Sequence, residues 1–573
     1  MRQHLIAARP QFIAFALLIC YCIPAPAYDL IFDSGFQAVT DAPGSDAEAA
    51  RFLTMATFGP TPEEIAHLRG IGYSQWIEQQ LAMPTTLERP TVEALDAGVQ
   101  NPGQGDRREQ WLKIALTAPD QLRQRAAWAL SQILVLTDQG NKLGQDPVAL
   151  AEYYDVLGRD SFGYYDSANT YHPGTYRNML TDATYSPAMA KMLTYVQNDK
   201  GNPLLGLSPD ENYAREVMQL FSIGLIERNP DFSPKLDNAG NTIPTYDQNE
   251  VTGNAHVFTG LSYDPRYSRS FKSYPTNGPS WTIADYLPMS CYEEHHDETP
   301  KIVLDEESID NPSPNCAADF TELLDIIANH PNVAPFISRQ LIQRFTSSNP
   351  SACYIEHVST VFTTTHGDLG AVVKAVLTDP EAMTGQQDPP CSNAPFVFGK
   401  AREPLLKLTA FWRYYHAAAQ DGSYLKSSLG RSYGQAPLDS PSVFNFYLPD
   451  YLPPGEMGNA GLYAPEFQIE SESAVVATAN DLTSRAAAYK GATGVGNSTL
   501  AVDLTALFAL ANNPDALVTQ VNHDLMYASM SPAMHATLVS MVGLIPYTTA
   551  APQPRVTSLL QVVLASPEFS IQK

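Results

Sequence analysis

The chain has 573 residues, of which 44% are hydrophobic and 17% are charged, as is typical of a globular protein with a substantial core. Its 35 basic and 61 acidic residues give a net charge of −26. Such an acidic chain repels a phosphate backbone, so nucleic acid is excluded as an expected partner, and anionic lipid surfaces are disfavoured for the same reason. The 45 prolines each fix φ and remove a backbone donor, which favours many short helices joined by rigid turns.

Residues 1–27 have the pattern of a secretory signal peptide. Arg2 and Arg9 supply a basic start, a short apolar run follows, and Ala25-Pro26-Ala27 has the small residues that signal peptidase prefers. We therefore predict cleavage after Ala27 and a periplasmic or extracellular location. The apolar run is too short to cross a bilayer, and no later segment approaches the roughly 20 apolar residues required, so the mature chain is predicted to lack a transmembrane segment.

Helical patterns follow a short leader. Residues 28–46 are rich in glycine, proline and aspartate and are predicted to be extended, whereas residues 47–225 form a predicted N-terminal helical region. In Thr61-Pro62-Glu63-Glu64 and Ser208-Pro209-Asp210-Glu211, a hydroxyl residue precedes proline and an acidic residue follows at the third helical position. This spacing predicts a capping box at both places. Gly224 is predicted to end the second helix about four turns later.

Residues 226–318 change in character. The turn-forming run Asp237-Asn238-Ala239-Gly240-Asn241 predicts a small β-hairpin, and residues 262–287 are predicted to form a long ordered loop. Helical periodicity returns in residues 319–573, the predicted C-terminal helical region. The expected fold class is therefore mainly α, a multi-helical body with a small β-hairpin and a long loop-rich insertion.

Four cysteines remain after removal of the signal peptide: Cys291, Cys316, Cys353 and Cys391. In an oxidising compartment four thiols predict two disulfides, for which three pairings exist. Short loops close at lower entropic cost, which favours Cys291–Cys316 and Cys353–Cys391. Zinc binding is the rival interpretation, and the absence of a C-x-x-C spacing disfavours it.

Eight short segments stand in order along nearly all of the mature chain. They are Ala50-Arg51-Phe52-Leu53 through Thr57-Phe58-Gly59-Pro60-Thr61, Arg123-Gln124-Arg125-Ala126-Ala127-Trp128-Ala129-Leu130, Glu211-Asn212-Tyr213-Ala214-Arg215-Glu216-Val217-Met218-Gln219-Leu220-Phe221, Tyr246-Asp247-Gln248, His296-Asp297, His330-Pro331-Asn332-Val333, Arg402-Glu403-Pro404 and Ser440-Pro441-Ser442-Val443-Phe444-Asn445. Together these segments resemble the bacterial domain-of-unknown-function 1800 family. The resemblance implies export, a largely helical body, a cell-envelope setting and an association with a second exported family of sulfatase-like architecture. The family has no settled reaction or catalytic residues that could be carried over.

Charged residues at the edge of apolar helix faces are the first functional candidates. Glu216 lies beside the apolar face of the helix that follows Pro209, and Arg344 lies beside Leu341 on another predicted helix. We hypothesise that Glu216 and Arg344 form a buried contact, either architectural or catalytic. Asp247 is a further candidate for acid–base chemistry or metal binding.

The run after Cys291 is the candidate for a divalent metal. His295, His296 and Asp297 offer imidazole and carboxylate ligands, but adjacent side chains diverge, so a site requires ligands from elsewhere, such as His256 or Asp247. The alternative is a polar loop held by turn hydrogen bonds.

Aromatic side chains in the irregular segments suggest a third possibility, stacking on sugar rings next to a carboxylate pair. The alternative is that these aromatics pin long loops to the helical body. The leading hypothesis is a secreted cell-envelope binding or assembly protein that engages a partner protein or a polysaccharide. The alternative hypothesis is a metal-assisted or carboxylate-based enzyme acting on an extracellular polymer.

Overall fold

Helices dominate the structure, a computed structural model that describes residues 41–96, 102–139, 143–275, 283–387, 397–424 and 429–573. Within those ranges 24 α-helices are present, which confirms the mainly α fold class. The predicted signal peptide, its cleavage site at Ala27 and most of the predicted leader lie outside the described residues. None of the described helices has the length and apolar composition that crossing a lipid bilayer requires.

The first half of the described chain contains α1 (Asp46–Ala56), α2 (Pro62–Ile71), α3 (Tyr73–Ala82), α4 (Arg89–Asp96), α5 (Gln104–Thr117), α6 (Gln121–Leu130), α7 (Pro147–Phe162), α8 (Tyr176–Thr184), α9 (Pro187–Met192), α10 (Asn212–Gln219) and α11 (Gln248–Val257). The second half contains α12 (Cys316–Asn329), α13 (Val333–Phe345), α14 (Ala352–Thr364), α15 (Leu369–Thr378), α16 (Pro380–Thr384), α17 (Pro404–Tyr414), α18 (Leu429–Tyr433), α19 (Glu456–Asn459), α20 (Glu472–Ala487), α21 (Thr505–Leu510), α22 (Pro514–Met526), α23 (Pro532–Leu544) and α24 (Gln553–Leu564).

Four small antiparallel strand pairs accompany the helices in the described residues. They join β1 (Tyr164–Tyr165) to β2 (Tyr171–His172), β3 (Leu261–Ser262) to β4 (Ser290–Cys291), β5 (Lys301–Ile302) to β6 (Ser308–Ile309), and β7 (Lys400–Ala401) to β8 (Ile571–Gln572). The last pair connects segments that are far apart in sequence.

Local capping explains where α2 begins. Thr61 accepts a hydrogen bond from the Glu64 amide at 3.2 Å, and Glu64 accepts one from the Thr61 amide at 3.0 Å, which confirms the predicted capping box. The second oxygen of Glu64 accepts from Arg413 on α17 at 2.6 Å. The same glutamate therefore caps one helix and fixes the position of another.

The capping box predicted at Ser208 is wrong. Helix α10 begins only at Asn212, has no side-chain cap, and ends at Gln219 rather than near Gly224. Tertiary contacts hold the preceding segment instead, because the Asp210 amide donates to Asn198 at 2.9 Å and the Asp210 carboxylate accepts from a threonine hydroxyl. These hydrogen bonds hold Asp210 in place of the predicted capping box at Ser208.

The insertion, residues 226–318, contains both predicted and unpredicted features. The hairpin is present as isolated antiparallel bridges that pair Ile226 with Pro244 and Leu236 with Thr242, closed by a turn in which the Asp237 amide donates to Asn241. Helix α11, which Asp247 caps, was not predicted inside this region. As limits of domains, the boundaries at 225/226 and 318/319 stay predictions.

Val92, Val148 and Ala151 form a small separate cluster, and most other buried apolar side chains of the described residues belong to one large hydrophobic core. Trp111, Trp128 and Trp412 are among its largest fully buried side chains. The rings of Trp111 and Trp128 lie 5.3 Å apart, and Phe446, from the C-terminal third of the chain, stacks on Trp128. The predicted N- and C-terminal helical regions therefore share their interior.

Candidate functional site

Glu216 is buried on α10, as its position beside the apolar face predicted. Its exposed fraction is 9%, and its Oε2 atom has no hydrogen-bond partner. Burial raises the pKa of Glu216, and the charge of the neighbouring Arg215 opposes this rise. No ion pair between Glu216 and Arg344 occurs among the described residues, so the hypothesised contact is not formed.

Arg344 is buried on α13 and lies in a different charged cluster. Its guanidinium stacks on the Tyr447 ring at 4.8 Å, and its main-chain oxygen accepts from Arg125 at 2.5 Å. The apolar face of a helix predicts that Arg344 is buried but does not predict which helix lies opposite. In the structure, α6 packs against α13. The charge of Arg344 acts on Glu403 instead.

Glu403 is the centre of this cluster, which we call the Glu403 network. It consists of Arg125, Trp128, Gln132, Arg344, Lys400, Glu403, Gln435, Asn445, Tyr447 and Glu466, all of which are buried. The Glu403 Oε2 atom accepts three hydrogen bonds, from Trp128 at 2.9 Å and from Gln132 and Gln435 at 3.0 Å each. Its Oε1 atom lies 4.0 Å from the Arg125 guanidinium.

A second buried carboxylate balances the lysine of the network. The Lys400 ammonium lies 2.9 Å from Glu466 and donates to the main-chain oxygens of Gln343 and Arg344 at 2.7 and 3.0 Å. Burial lowers the pKa of Lys400 despite the attraction of Glu466. Burial by itself would raise the pKa of Glu403, but the charges of Lys400 and Arg125 outweigh it and lower that pKa.

The network contains three cations and two carboxylates, and several of its polar atoms have no hydrogen-bond partner among the described residues. These atoms include Nε and Nη1 of Arg125 and of Arg344, Oε1 of Glu403, and the Tyr447 hydroxyl. Because the side chains are almost inaccessible to solvent, this arrangement suits the positioning of helices rather than direct contact with a dissolved substrate. Arg402-Glu403-Pro404 belongs to the family resemblance, but no local sequence pattern identifies Glu403, Lys400 or Glu466 as interacting groups.

Asp247 has a structural task in this fold. It is exposed and forms the N-cap of α11, where its Oδ1 atom accepts from the amides of Asn249 at 2.7 Å and Glu250 at 3.1 Å. The Glu250 carboxylate completes the capping box by accepting from the Asp247 amide at 2.7 Å. The Asp247 carboxylate therefore serves as the N-cap of α11, and its suggested role in catalysis or metal binding stays a prediction.

Two of the predicted metal ligands, His256 and Asp297, contact each other through a hydrogen bond. His256 is paired through Nδ1 with Asp297, which also accepts from the Thr299 amide at 2.9 Å and hydroxyl at 2.7 Å. Burial of Asp297 opposes ionisation, but the hydrogen bonds from His256 and Thr299 outweigh it and hold the pKa of Asp297 far below its ordinary value.

The adjacent histidines point to different partners, as neighbouring residues usually do. His295 pairs with Asp199 at 2.9 Å and stacks on Phe271. His296 is fully buried, with Nδ1 2.9 Å from the Thr259 carbonyl and Nε2 3.1 Å from Asp319. Asp319 also accepts from Lys301 on strand β5 at 2.6 Å. His296 therefore links α11, α12 and the β5–β6 hairpin. Within the ranges that the structure describes, no three His, Cys, Asp or Glu side chains converge in a way that could hold a metal ion.

The cysteine prediction is confirmed where the structure describes it. Cys291 and Cys316 form a disulfide with a Cα–Cα distance of 6.0 Å, which fastens strand β4 to the first residue of α12. The second predicted disulfide, Cys353–Cys391, includes Cys391, which lies outside the described residues.

A cleft of about 560 Å³ lies among the ends of α8, α12, α13 and α14. Arg177, His330 and His366 contribute basic side chains to its lining. His330 belongs to the quoted His-Pro-Asn-Val segment, and burial lowers its pKa although Asp305 opposes this shift. Asn332 of the same segment donates to the main-chain oxygens of Ile223 and Ile226 at 2.9 and 2.8 Å, so this segment fixes the start of the insertion.

A tight loop, residues 202–207, carries the most exposed leucines in the described part of the chain apart from Leu544. Leu204 is 96% exposed, Leu205 71% and Leu207 59%. The amides of Leu205 and Leu207 donate to the Asn202 carbonyl at 3.0 Å each, and the Asn202 amide donates back to Leu207 at 2.9 Å. Gly206 closes the turn with a φ of +65°, which glycine adopts without strain. We call this segment the leucine loop.

Comparison with known proteins identifies the family without assigning an activity. No curated protein and no solved structure matches the chain. A family model described as "Protein of unknown function (DUF1800)" matches residues 51–571, which is nearly the whole chain and includes both the Glu403 network and the leucine loop. The chain therefore belongs to the DUF1800 family.

Proposed function

We propose that this protein is an exported component of the cell envelope that binds a partner protein through the leucine loop. The signal-peptide pattern of residues 1–27 and the Cys291–Cys316 disulfide support export, because disulfides persist in oxidising compartments. The observation that carries the proposed binding is the outward display of Leu204, Leu205 and Leu207 on a hydrogen-bonded turn.

The ordered backbone of the loop favours binding. Its hydrogen bonds hold the leucines outward before any partner arrives, so little conformational entropy is lost on association. Full burial of a leucine side chain stabilises a complex by about 1.5–3 kcal/mol. Three leucines therefore supply enough apolar surface to form the centre of an interface, although leucine alone is not the commonest hot-spot residue.

The chemistry of the loop favours a protein over a polysaccharide or a membrane. Leucine side chains offer neither hydrogen bonds nor aromatic faces to a sugar, whereas an apolar pocket on a protein accommodates them. A net charge of −26 opposes approach to anionic lipid. The proposed partner is therefore an exported protein that has an apolar pocket of its own.

A photo-crosslinking amino acid at position 204, in protein expressed in the native host, tests this proposal. The same amino acid at position 544 is the matched control, because Leu544 is 84% exposed and lies at the end of α23. We expect one protein species to be captured from position 204 and not from position 544. That species is then purified and titrated with the wild-type protein, with L204S/L205S and with L544S.

The binding measurement decides the proposal. Loss of two buried leucines should weaken binding by about 3–6 kcal/mol, at least a hundredfold, whereas L544S should bind like the wild type. Equal affinity of all three proteins would refute a role for the loop. The wild-type protein could instead associate with zwitterionic vesicles or with itself, and L204S/L205S could lose that association. This result would show that the loop binds lipid or a second copy of the chain rather than a partner protein.

A further inference from the structure

A second, smaller cavity contains an unusual arginine. The cavity has a volume of about 220 Å³, and Arg51, Arg402, Tyr527, Ser529 and Lys573 are among the residues that line it. Pockets for drug-sized ligands usually measure roughly 300–1,000 Å³, so this cavity suits a single chemical group. It lies beside strands β7 and β8 and is separate from the leucine loop.

The Arg402 guanidinium lies over two aromatic rings. Its guanidinium carbon lies 5.2 Å from the centre of the Tyr527 ring and 5.1 Å from the centre of the Phe569 ring. Contact with two ring faces restrains the guanidinium without using any of its N–H donors. Tyr527 adopts a left-handed φ of +52°, which places its ring at this position at some conformational cost.

The side-chain donors of Arg402 form no hydrogen bond within the described residues, although its main-chain amide donates to Ser570 at 2.8 Å. The residue is only 6% exposed, and its Nε and Nη1 atoms have no hydrogen-bond partner. No salt bridge of Arg402 with Asp or Glu occurs in the part of the chain that the structure describes. A buried cation with unsatisfied donors is costly, and a planar oxyanion that accepts two parallel hydrogen bonds relieves that cost.

Basic side chains outnumber acidic ones in the lining of the cavity. Arg51 and Lys573 add two basic side chains, and Glu48 is the one acidic residue among those lining the cavity. The Glu48 carboxylate accepts from the Gly44 amide at 2.8 Å, and Arg51 donates to the main-chain oxygens of Ala382, Met383 and Lys573. Among the described residues, Glu48 does not accept a hydrogen bond from Arg402, and Arg51 is itself a donor.

We propose that Arg402 and this cavity bind one oxyanion group, a carboxylate or a phosphate, carried by a small molecule or by the end of an envelope polymer. Arg339 provides a comparison. It is also buried, and its guanidinium lies over two rings, those of Phe232 and Tyr463, but it donates to the Pro449 carbonyl at 3.3 Å and does not line the cavity.

Isothermal titration calorimetry of the full mature chain with inorganic phosphate and with glucuronate, in chloride buffer of matched ionic strength, tests the proposal. We expect saturable binding of at least one of the two anions with a stoichiometry of one. Tighter binding of phosphate identifies a phosphorylated ligand, and tighter binding of glucuronate identifies a uronic acid. The variant R402K keeps the charge but loses the planar fork, and it should weaken binding at least tenfold. The matched control R339K should bind like the wild type.

A second pair of variants keeps the proposal testable if R402K does not fold. S529D adds a carboxylate to the cavity wall, where it should occupy the Arg402 donors, abolish binding of the added anion and raise the midpoint of thermal unfolding without anion. S529N has nearly the same shape without the charge and should leave both quantities near their wild-type values. Absence of saturable binding of both anions to the wild-type protein, or unchanged binding by S529D, would overturn the proposal.

Discussion

The Glu403 network allows a quantitative prediction for the variant E403Q, which keeps the shape of the side chain and removes its charge. Three hydrogen bonds converge on one carboxylate oxygen, and Arg125 lies 4.0 Å from the other. Hydrogen bonds to a charged group contribute about 1.5–3 kcal/mol each and those to a neutral group about 1 kcal/mol. Removing one partner from a buried charge cluster costs about 3–5 kcal/mol. We therefore expect E403Q to lower the free energy of unfolding by about 3–5 kcal/mol.

Urea denaturation followed by tryptophan fluorescence measures this loss, since Trp128 donates directly to Glu403. The control is E211Q, which removes a half-exposed carboxylate that pairs with Arg215 at 3.3 Å on the surface of α10. An exposed pair of this kind contributes at most about 1 kcal/mol. A loss below 1 kcal/mol in E403Q, equal to that in E211Q, would refute the view that Glu403 holds the network together.

The pH dependence of this difference follows from the lowered pKa of Glu403. A carboxyl whose pKa is lower in the folded than in the unfolded chain stabilises the protein fully above its ordinary pKa of 4.5, and this stabilisation is lost as the pH falls through the lowered value. The difference between the wild type and E403Q should therefore be constant from pH 6 to 8 and shrink below about pH 4.5. A difference that grows on acidification would contradict the assigned sign.

Three further predictions concern other groups. Replacing Cys291 and Cys316 by alanine opens a loop with a sequence separation of 25 and should lower the free energy of unfolding by about 3–4 kcal/mol. Since the double variant lacks this disulfide, dithiothreitol should not lower its free energy of unfolding further through this pair. Burial raises the pKa of Glu381 to about 7, so its ionisation between roughly pH 4.5 and 7 destabilises the wild type. The stability of E381Q relative to the wild type should consequently rise by up to about 3 kcal/mol from pH 4 to pH 8, and a flat difference would contradict the raised pKa. The exported protein should begin at Tyr28, directly after Ala27, and Edman sequencing that finds residues 1–27 retained would exclude the predicted cleavage.

Features that depend on neighbouring residues were predictable from the sequence. The capping box at Thr61 and the hairpin turn that begins at Asp237 both follow from local spacing, and the structure contains each of them. The box at Ser208 has the same local pattern and is absent. Its segment is held by Asn198, a residue that no local window includes.

Partners across the core were not predictable, because periodicity identifies which side of a helix faces inward but not what it meets. Glu216 and Arg344 are both buried as predicted, yet they belong to different surroundings. The partner of the Arg125 and Arg344 charges is Glu403, which follows a two-residue strand and directly precedes α17. A carboxylate at that position looks like an ordinary helix cap in the sequence, and only the packing of α6 and α13 reveals its role.

Arg402 and Glu403 are consecutive residues, so they join the second cavity to the Glu403 network. Glu403 extends into the network, whereas the Arg402 guanidinium lies over Tyr527 and Phe569 beside the cavity. Strand β8 connects the two environments, since Gln572 lines the cavity and donates to the main-chain oxygen of Phe345 at 2.7 Å. An anion bound at Arg402 would therefore restrain the β7–β8 pair and, through it, the end of α13 that carries Arg344. On this reasoning, phosphate or glucuronate should slow amide hydrogen exchange in residues 400–403 and 342–346 of the wild type, and it should have no such effect in S529D.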